Sequence, residues 1–338
     1  MNITTLGIDL AKTVFQLHGV NSQGEVTLKK KLQRAELLSH IAQLVPCTII
    51  MEACSSANYW SRQFKKLGHQ VKLISPQYVK PFVKTNKNDA NDAEAIVEAG
   101  TRPSMNFVAP KSTEQQDIQS LHRVRERLIA NRTATANQIR GLLMEYGIII
   151  SQGIWHLRKR IPEILEDGEN ELTLLMRELL HDLYDDLCNL CERIKKCDAY
   201  LKSIFNSNET CKKIAEIEGI GIICATALVS AVGDATVFEN GRQMSAWLGL
   251  VPKQHSSGNK TRLLGISKRG DCYLRKILVH GARSTVYRSK NKEDRRSQWV
   301  SSIARRRGAN KACVALANKN VRIAWAIMNN ETRYRKAA

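Results

Sequence analysis

Acidic residues are scarce in this chain: 32 Asp and Glu stand against 52 Lys and Arg in 338 residues, a formal net charge of +20. Such an imbalance costs self-repulsion and suits phosphate contacts, so a polyanion is the expected partner, nucleic acid ahead of a membrane surface. Long hydrophobic runs are missing too. No segment approaches the ~20 apolar residues that span a bilayer, and Met1-Asn2-Ile3 leads straight into a strand-like segment without a signal peptide. A cytoplasmic, nucleoid-associated protein with no membrane partner is expected. Cysteines number nine, an odd count spread through apparent strands and helices. That distribution fits reduced core thiols better than a disulfide framework. Cys188 and Cys191 form a CxxC inside a helical heptad pattern, but no second pair at zinc-like spacing follows.

What is present falls into three textures, read as domains at 1–110, 111–208 and 209–338. In the first, ITTLGIDLAKT and VFQLHGV read as strands, NSQGE as a hairpin turn and EVTLKKKL as a third strand of period two. A helix from about Ala35 to Leu44, the apolar strand CTIIMEA, a helix from about Asn58 to Leu67, the strand VKLIS and a helix opening near Asp89 complete it. The order β-β-β-α-β-α-β-α is that of a ribonuclease-H-like α/β domain.

The middle texture is long helix with little glycine. Leu172, Leu175, Leu179, Leu183, Leu187, Leu190, Ile194, Cys197, Leu201 and Ile204 alternate steps of three and four, a heptad seam. Its partner is an earlier helix carrying Ile118, Leu121, Leu128, Ile139 and Leu142, joined through a Gly/Pro-marked turn near 147–168. The expectation is an antiparallel coiled-coil arm. That earlier helix also bears Arg123, Arg125, Arg127, Arg132 and Arg140, which serve either as a solvated face or as a nucleic-acid contact.

In the last, mainly helical texture, IEGIGIICATALVSAVGD reads as a helix-hairpin-helix, whose Gly-x-Gly turn can offer amides to a phosphate, or as a plain αα-hairpin. Beyond it, a glycine- and basic-rich loop region leads into a helix from Tyr273. The fold class expected is therefore α/β plus α.

Four carboxylates stand out. Asp9 interrupts the apolar strand GIDLA and Glu52 ends IIMEA; a charge there is expensive to bury unpaired. Asp89 and Asp92, three apart in NKNDANDAEA, share one helix face. First-turn capping accounts for acids at that place equally well. In a ribonuclease-H-like sheet, however, the first and fourth strands are neighbours and the last helix crosses them, bringing all four acids together. Their repulsion is relieved most simply by a divalent cation, and hard oxygen ligands favour Mg²⁺ or Mn²⁺. Two such ions could clamp the attacking and leaving oxygens of a phosphodiester.

With GIDLAK, IIMEA, KNDANDAEAI, EGIGIICATAL, AWLGLVPKQHSSG and ISKRGDCYLRKILVHGA in view, the chain resembles, over nearly its whole length, the DEDD transposases of small insertion sequences, the bridge-RNA-guided recombinases with a Holliday-junction-resolvase-like N-terminal domain. The resemblance implies that Asp9, Glu52, Asp89 and Asp92 are the DEDD tetrad and that Ser257, with Ser256 beside it as a one-residue ambiguity, is the DNA nucleophile. It implies DNA ends and target, a noncoding guide RNA and a homo-oligomer, dimer or tetramer, as partners, with Mg²⁺ or Mn²⁺ as cofactor. Lys260, Arg262, Lys268, Arg269 and Arg275 would contact nucleic acid; otherwise they belong to a solvated basic loop.

Competing readings predict different behaviour. A resolvase-like nuclease, hydrolysing branched DNA by the tetrad alone, survives Ser257→Ala. A non-catalytic nucleic-acid scaffold survives Asp9→Ala. GIDLAKT also resembles the phosphate loop of actin-like sugar kinases, but no second Gly-rich phosphate loop follows, and a small-molecule kinase has little use for a charge of +20.

Overall fold

The computed structural model describes residues 2–84, 89–258 and 260–334, the side chains of 89 and 90 excepted. They form two compact units, residues 1–115 with 232–237 and residues 116–231 with 238–338.

The first unit is built on a six-stranded sheet. Its elements are β1 (Thr5–Leu10), β2 (Val14–Val20), β3 (Val26–Gln33), α1 (Arg34–Ala42), β4 (Thr48–Glu52), α2 (Ala57–Lys66), β5 (Gln70–Ile74), α3 (Pro76–Val79), α4 (Asp89–Gly100) and β6 (Phe107–Val108). The strand order is β3-β2-β1-β4-β5-β6, with β1, β4 and β5 parallel and the rest antiparallel. The expected element order is thus observed, with the limits of α1 and α2 within two residues of expectation, plus the short helix α3 and the short strand β6.

Period-two alternation decides what each face carries. Leu6, Ile8, Ile49 and Met51 point to one side, where they join Leu37 and Ile41 of α1 and Trp60 and Phe64 of α2 in the larger core. Trp60 anchors it, edge-on to Phe15 at 5.3 Å and stacked on Phe64 at 5.6 Å. Ile50 and Ile74 point the other way, onto Ala95, Ile96 and Ala99 of α4. Strands that bury both faces read as nearly continuous apolar runs, and in β1 the interruptions Gly7 and Asp9 both fall on the α4 side.

The second unit contains α5 (Thr113–Met144, its start lying in the first unit), α6 (Ile154–Glu166), α7 (Leu174–Ser207), α8 (Glu209–Ala215), α9 (Ile222–Val232), α10 (Gly241–Trp247), β7 (Pro252–Ser257), β8 (Lys260–Ile266), α11 (Cys272–Arg288), α12 (Arg295–Arg307) and α13 (Ala309–Asn330). Leu128 of α5 clusters with Ile194 and Cys197 of α7, while Ala136, Ile139 and Leu143 cluster with Leu187, Leu180 and Met176. The residue order is opposed, so the two long helices pack antiparallel.

Two details of the arm differ from expectation. The segment near 147–168 is not a turn but contains the helix α6, whose Leu157, Ile161 and Ile164 are buried despite Pro162 within it. Because that third helix packs on the N-terminal half of α7, the buried stripe there runs through Met176 and Leu180, and Leu175 and Leu179 of the expected seam are 65% and 47% exposed. Three of the five arginines on α5 have partners within the chain. Arg125 pairs with Asp198 at 2.6 Å, Arg123 with Asp271 at 3.5 Å, and Arg140 donates to the Gly153 carbonyl at 2.9 Å.

A buried hydrogen-bond chain ties α5, α9 and α11 together. Thr226 Oγ1 donates to the Ile222 carbonyl at 2.8 Å, so it accepts from His122 Nε2 at 3.0 Å, which leaves Nδ1 to accept the Tyr273 hydroxyl at 2.9 Å. Burial lowers the His122 pKa to about 4 and raises that of Tyr273 to about 12.

The glycines of the IEGIGI turn serve close packing. A Cβ on Gly281 of α11 would lie 1.9 Å from the Gly219 carbonyl, and Gly219 itself has φ +94°. Among the described residues no helix is long and apolar enough to cross a membrane.

Candidate active site

Asp9 and Glu52 stand at the C-terminal ends of β1 and β4. The parallel register pairs Ile8 with Met51, and its next step sets Asp9 beside Glu52. Both lie two residues beyond groups that face α4. A Cβ on Gly7 would meet the Ala93 carbonyl and Val97 Cγ2, each at 2.6 Å, and Ile50 would meet one on Gly100 at 2.3 Å. Alternation therefore turns both carboxylates to the α4 side. Their shared neighbourhood registers on Cys54, whose thiol is held above its ordinary pKa by burial first and then by the negative charges of Glu52 and Asp9.

Of the second pair of acids, helix α4 places Asp92 on this side of the sheet. Asp92 adjoins Ala93, which abuts Gly7, and sits one turn before the fully buried Ile96, so it enters half-buried on the sheet side. Asp89 opens the helix, but its side chain lies outside the described residues. Lys84 and Glu94 hold the start of α4 with an ion pair of 2.5 Å. Among the described residues, no three His, Cys, Asp or Glu side chains are disposed around a common metal position.

Ser257 lies in the second unit, on a segment expected to be loop. It is a two-stranded antiparallel hairpin, β7 against β8. Gln-His-Ser-Ser is a poor strand signature, and every residue of β7 is exposed, so no core-facing alternation marks it. Pairing runs Gln254↔Leu263, His255↔Arg262, Ser256↔Thr261 and Ser257↔Lys260, so Ser257 is the last paired residue before the tip at Gly258 (φ +56°).

Cross-strand partners share a face, which separates the two candidate serines. Ser257, Lys260, His255 and Arg262 lie on one side, a hydroxyl among basic groups. Ser256 lies on the other with Thr261 and Leu263, its hydroxyl accepting from Gln254 Nε2 at 2.8 Å. His255 was not marked by motif reading; its two-residue spacing from Ser257 is the signal, once the segment is known to be a strand.

An isolated two-stranded hairpin is marginal in water, and this one is held at its base. A Cβ on Gly249 would lie 2.3 Å from the Arg269 carbonyl, and one on Gly270 would lie 2.1 Å from the Trp247 carbonyl. The backbones of AWLGL and ISKRG thus cross in contact. Arg275 closes the crossing, donating to the carbonyls of Leu248 at 3.1 Å and Arg269 at 2.7 Å. Lys268 (φ +56°) and Arg269 sit in this turn with exposed side chains.

Comparison with known proteins finds two family profiles along the chain. Residues 6–148, which carry the carboxylates, match the family profile of the DEDD transposase of the IS110 type. Residues 211–298, which carry the hairpin, match the Transposase IS116/IS110/IS902 family. Among curated relatives, the chain is 48% identical over 336 residues to a probable family 20 transposase of Pseudomonas aeruginosa, covering 99% of both chains. It is 47% identical over 337 residues to the transposase for insertion sequence element IS1111A of Coxiella burnetii, covering 100% of this chain and 93% of the relative. To the transposase for insertion sequence element IS1328 of Yersinia enterocolitica it is 42% identical over 335 residues, 99% of each. Two family profiles along one chain, and full-length identity well above the level that chance allows, leave one conclusion: this protein belongs to the IS110/IS116 family of insertion-sequence transposases, enzymes that cleave and exchange DNA strands.

Proposed function

We propose that this transposase exchanges strands through a covalent intermediate on Ser257. The observation that carries the reading is the hairpin face itself: a serine at an exposed tip, with Lys260, His255 and Arg262 on the same side. The Ser257 oxygen attacks a DNA phosphorus, forming an Oγ–P bond as the bond to one deoxyribose oxygen breaks; that oxygen leaves with a proton. The hydroxyl of a second strand then attacks the phosphoserine and releases the serine. Two transesterifications conserve the phosphodiester, so no ATP is consumed. Lys260 and Arg262 neutralise the phosphate during both steps, and Lys268, Arg269 and Arg275 hold the flanking backbone or the turn that supports it.

DEDD transposases use divalent metal ions. The donor chemistry here fits one, since Asp9, Glu52 and Asp92 offer only carboxylate oxygen, to which Asp89 adds a fourth group. These residues would hold Mg²⁺ or Mn²⁺, and a bound ion supplies charge neutralisation at the reacting phosphate. A noncoding guide RNA selects the paired DNA, a role supported by the charge of +20. The α5–α7 arm joins copies of the chain into a dimer or tetramer; Met144, Ile149, Trp155, Leu174 and Leu175, exposed by 60–79%, support contact at its far end.

The decisive experiment incubates the protein with element-end DNA, flanking noncoding RNA and Mg²⁺ and resolves the products on a denaturing gel. A protein–DNA adduct lost in Ser257→Ala but kept in Ser256→Ala is expected. Cleavage without an adduct, insensitive to both changes, would mean that the carboxylates hydrolyse DNA alone. Recombination that persists without the RNA would refute guidance.

A further inference from the structure

The second unit contains a cavity of about 1520 Å³ that plays no part in the chemistry above. It exceeds the roughly 300–1,000 Å³ of small-molecule sites, so it has room for several monomers of a chain. Its wall is one face of α13, where Lys311, Ala315, Lys319, Arg322 and Ala326 recur at steps of three and four. The opposite face, with Leu316, Val321 and Ala324, is buried. Arg242 of α10 completes a lining that contains no Asp or Glu. Among the described residues, Arg242, Lys311, Lys319 and Arg322 form no ion pair.

Two tryptophans stand among these cations. Lys319 Nζ lies 4.7 Å over the Trp299 ring, and Trp325 is half-buried with its indole N–H donated to the Phe238 carbonyl at 3.3 Å. Unneutralised cations with aromatic rings between them suit a single-stranded nucleic acid, whose phosphates meet the charges while its bases stack. A duplex would keep its bases from those rings.

Position says which strand. Leu264, Gly265 and Ile266 of β8 line the cavity, and Lys260 at the other end of β8 faces Ser257. Four to six strand residues cover about 14–20 Å, a span of a few nucleotides. We propose that this cleft holds unpaired bases of the DNA strand a few nucleotides from the phosphate presented to the hairpin. The inference rests on the hairpin's being the DNA-cleaving element.

The test measures binding in the Ser257→Ala protein, so that its outcome does not depend on cleavage. Fluorescence anisotropy with a short labelled oligothymidylate, a matched duplex and a matched oligouridylate is followed across a salt series. Neutralising Lys311→Ala with Arg322→Ala, both exposed, is expected to flatten the log–log salt slope for single-stranded DNA by about 1.4, or 0.7 per phosphate contact. Trp299→Ala weakens oligothymidylate about tenfold while Trp299→Phe is tolerated, and duplex affinity changes less. An unchanged salt slope, or equal losses for duplex and single strand, overturns the cleft as a base-binding site; tighter binding of oligouridylate overturns its assignment to DNA. Should the Ser257 adduct fail to form while these binding changes hold, the nucleophile is misassigned and the cleft stands.

Discussion

His122 on α5 and Tyr273 on α11 share a buried hydrogen bond of 2.9 Å in which the imidazole accepts. An imidazole that accepts at Nδ1 and donates at Nε2 must be neutral. Protonation turns the acceptor into a donor facing a hydroxyl whose proton already points at it.

A pH dependence follows with a definite sign. The folded pKa of His122 is depressed to about 4 from 6.5, so between those values the unfolded chain binds the extra proton. Its stabilising effect is full above pH 6.5 and is lost as pH falls toward 4, by about 3 kcal/mol at most. Thermal melting of wild type against His122→Gln across this window isolates the effect from His18 and His40, whose pKa values are also lowered by burial. A variant whose melting temperature falls as steeply as wild type would remove His122 as the cause.

Gly7→Ala should separate α4 from the sheet. The new methyl would sit 2.6 Å from the Ala93 carbonyl, a backbone atom that moves only with the helix. A loss of about 1–3 kcal/mol in stability is expected, with strand exchange reduced further than stability alone explains because Asp92 travels with Ala93. Melting curves read beside recombination rates test this; equal loss of both leaves Gly7 merely structural.

Neutralising the strand carboxylates should remove both chemistry and metal response. Asp9→Asn and Glu52→Gln are expected to slow strand exchange about 1,000-fold, equivalent to about 4 kcal/mol. Mg²⁺ or Mn²⁺ should raise the melting temperature of wild type and fail to do so in either variant. Equal metal-induced stabilisation in all three proteins would place the ion elsewhere.

Mixing tests how the two halves are supplied. The carboxylates and the serine belong to different units of the chain, so one site can draw them from one subunit or from two; a site shared between two subunits makes a definite prediction. Asp9→Ala and Ser257→Ala proteins, each inactive, should then recover about a quarter of wild-type activity when co-assembled, since half of the dimers are mixed and each mixed dimer holds one intact site of two. Continued inactivity would assign both halves to one subunit.

The sheet was legible because its central strands are short apolar runs, its third strand carries a period of two, and turn signals such as NSQGE separate them. Asp9 and Glu52 were legible as charges where the pattern demanded apolar groups. Other parts left little trace. Phe107–Val108 is too short to show a period; α6 is bracketed by Gly153 and Gly168 and contains Pro162, so its punctuation reads as a turn although Leu157, Ile161 and Ile164 bury as a helix face. The hairpin is exposed on both strands, with no core to impose alternation. The apolar stripe of α7 is legible in the sequence, but at Leu175 and Leu179 it lies one residue out of phase with the buried face at Met176 and Leu180, because a partner as close in sequence as α6 cannot be inferred from α7 alone.

The backbone crossing has no room for a Cβ at Gly249 or at Gly270, whereas one at Gly258, at the tip beyond it, would meet nothing within 4 Å. The hairpin is thereby fixed at its base and open at its reacting end: the crossing sets the direction in which Ser257 and the cations beside it are presented, and open space at the tip leaves room for DNA to approach. A hairpin with no core of its own takes its aim from two missing Cβ atoms.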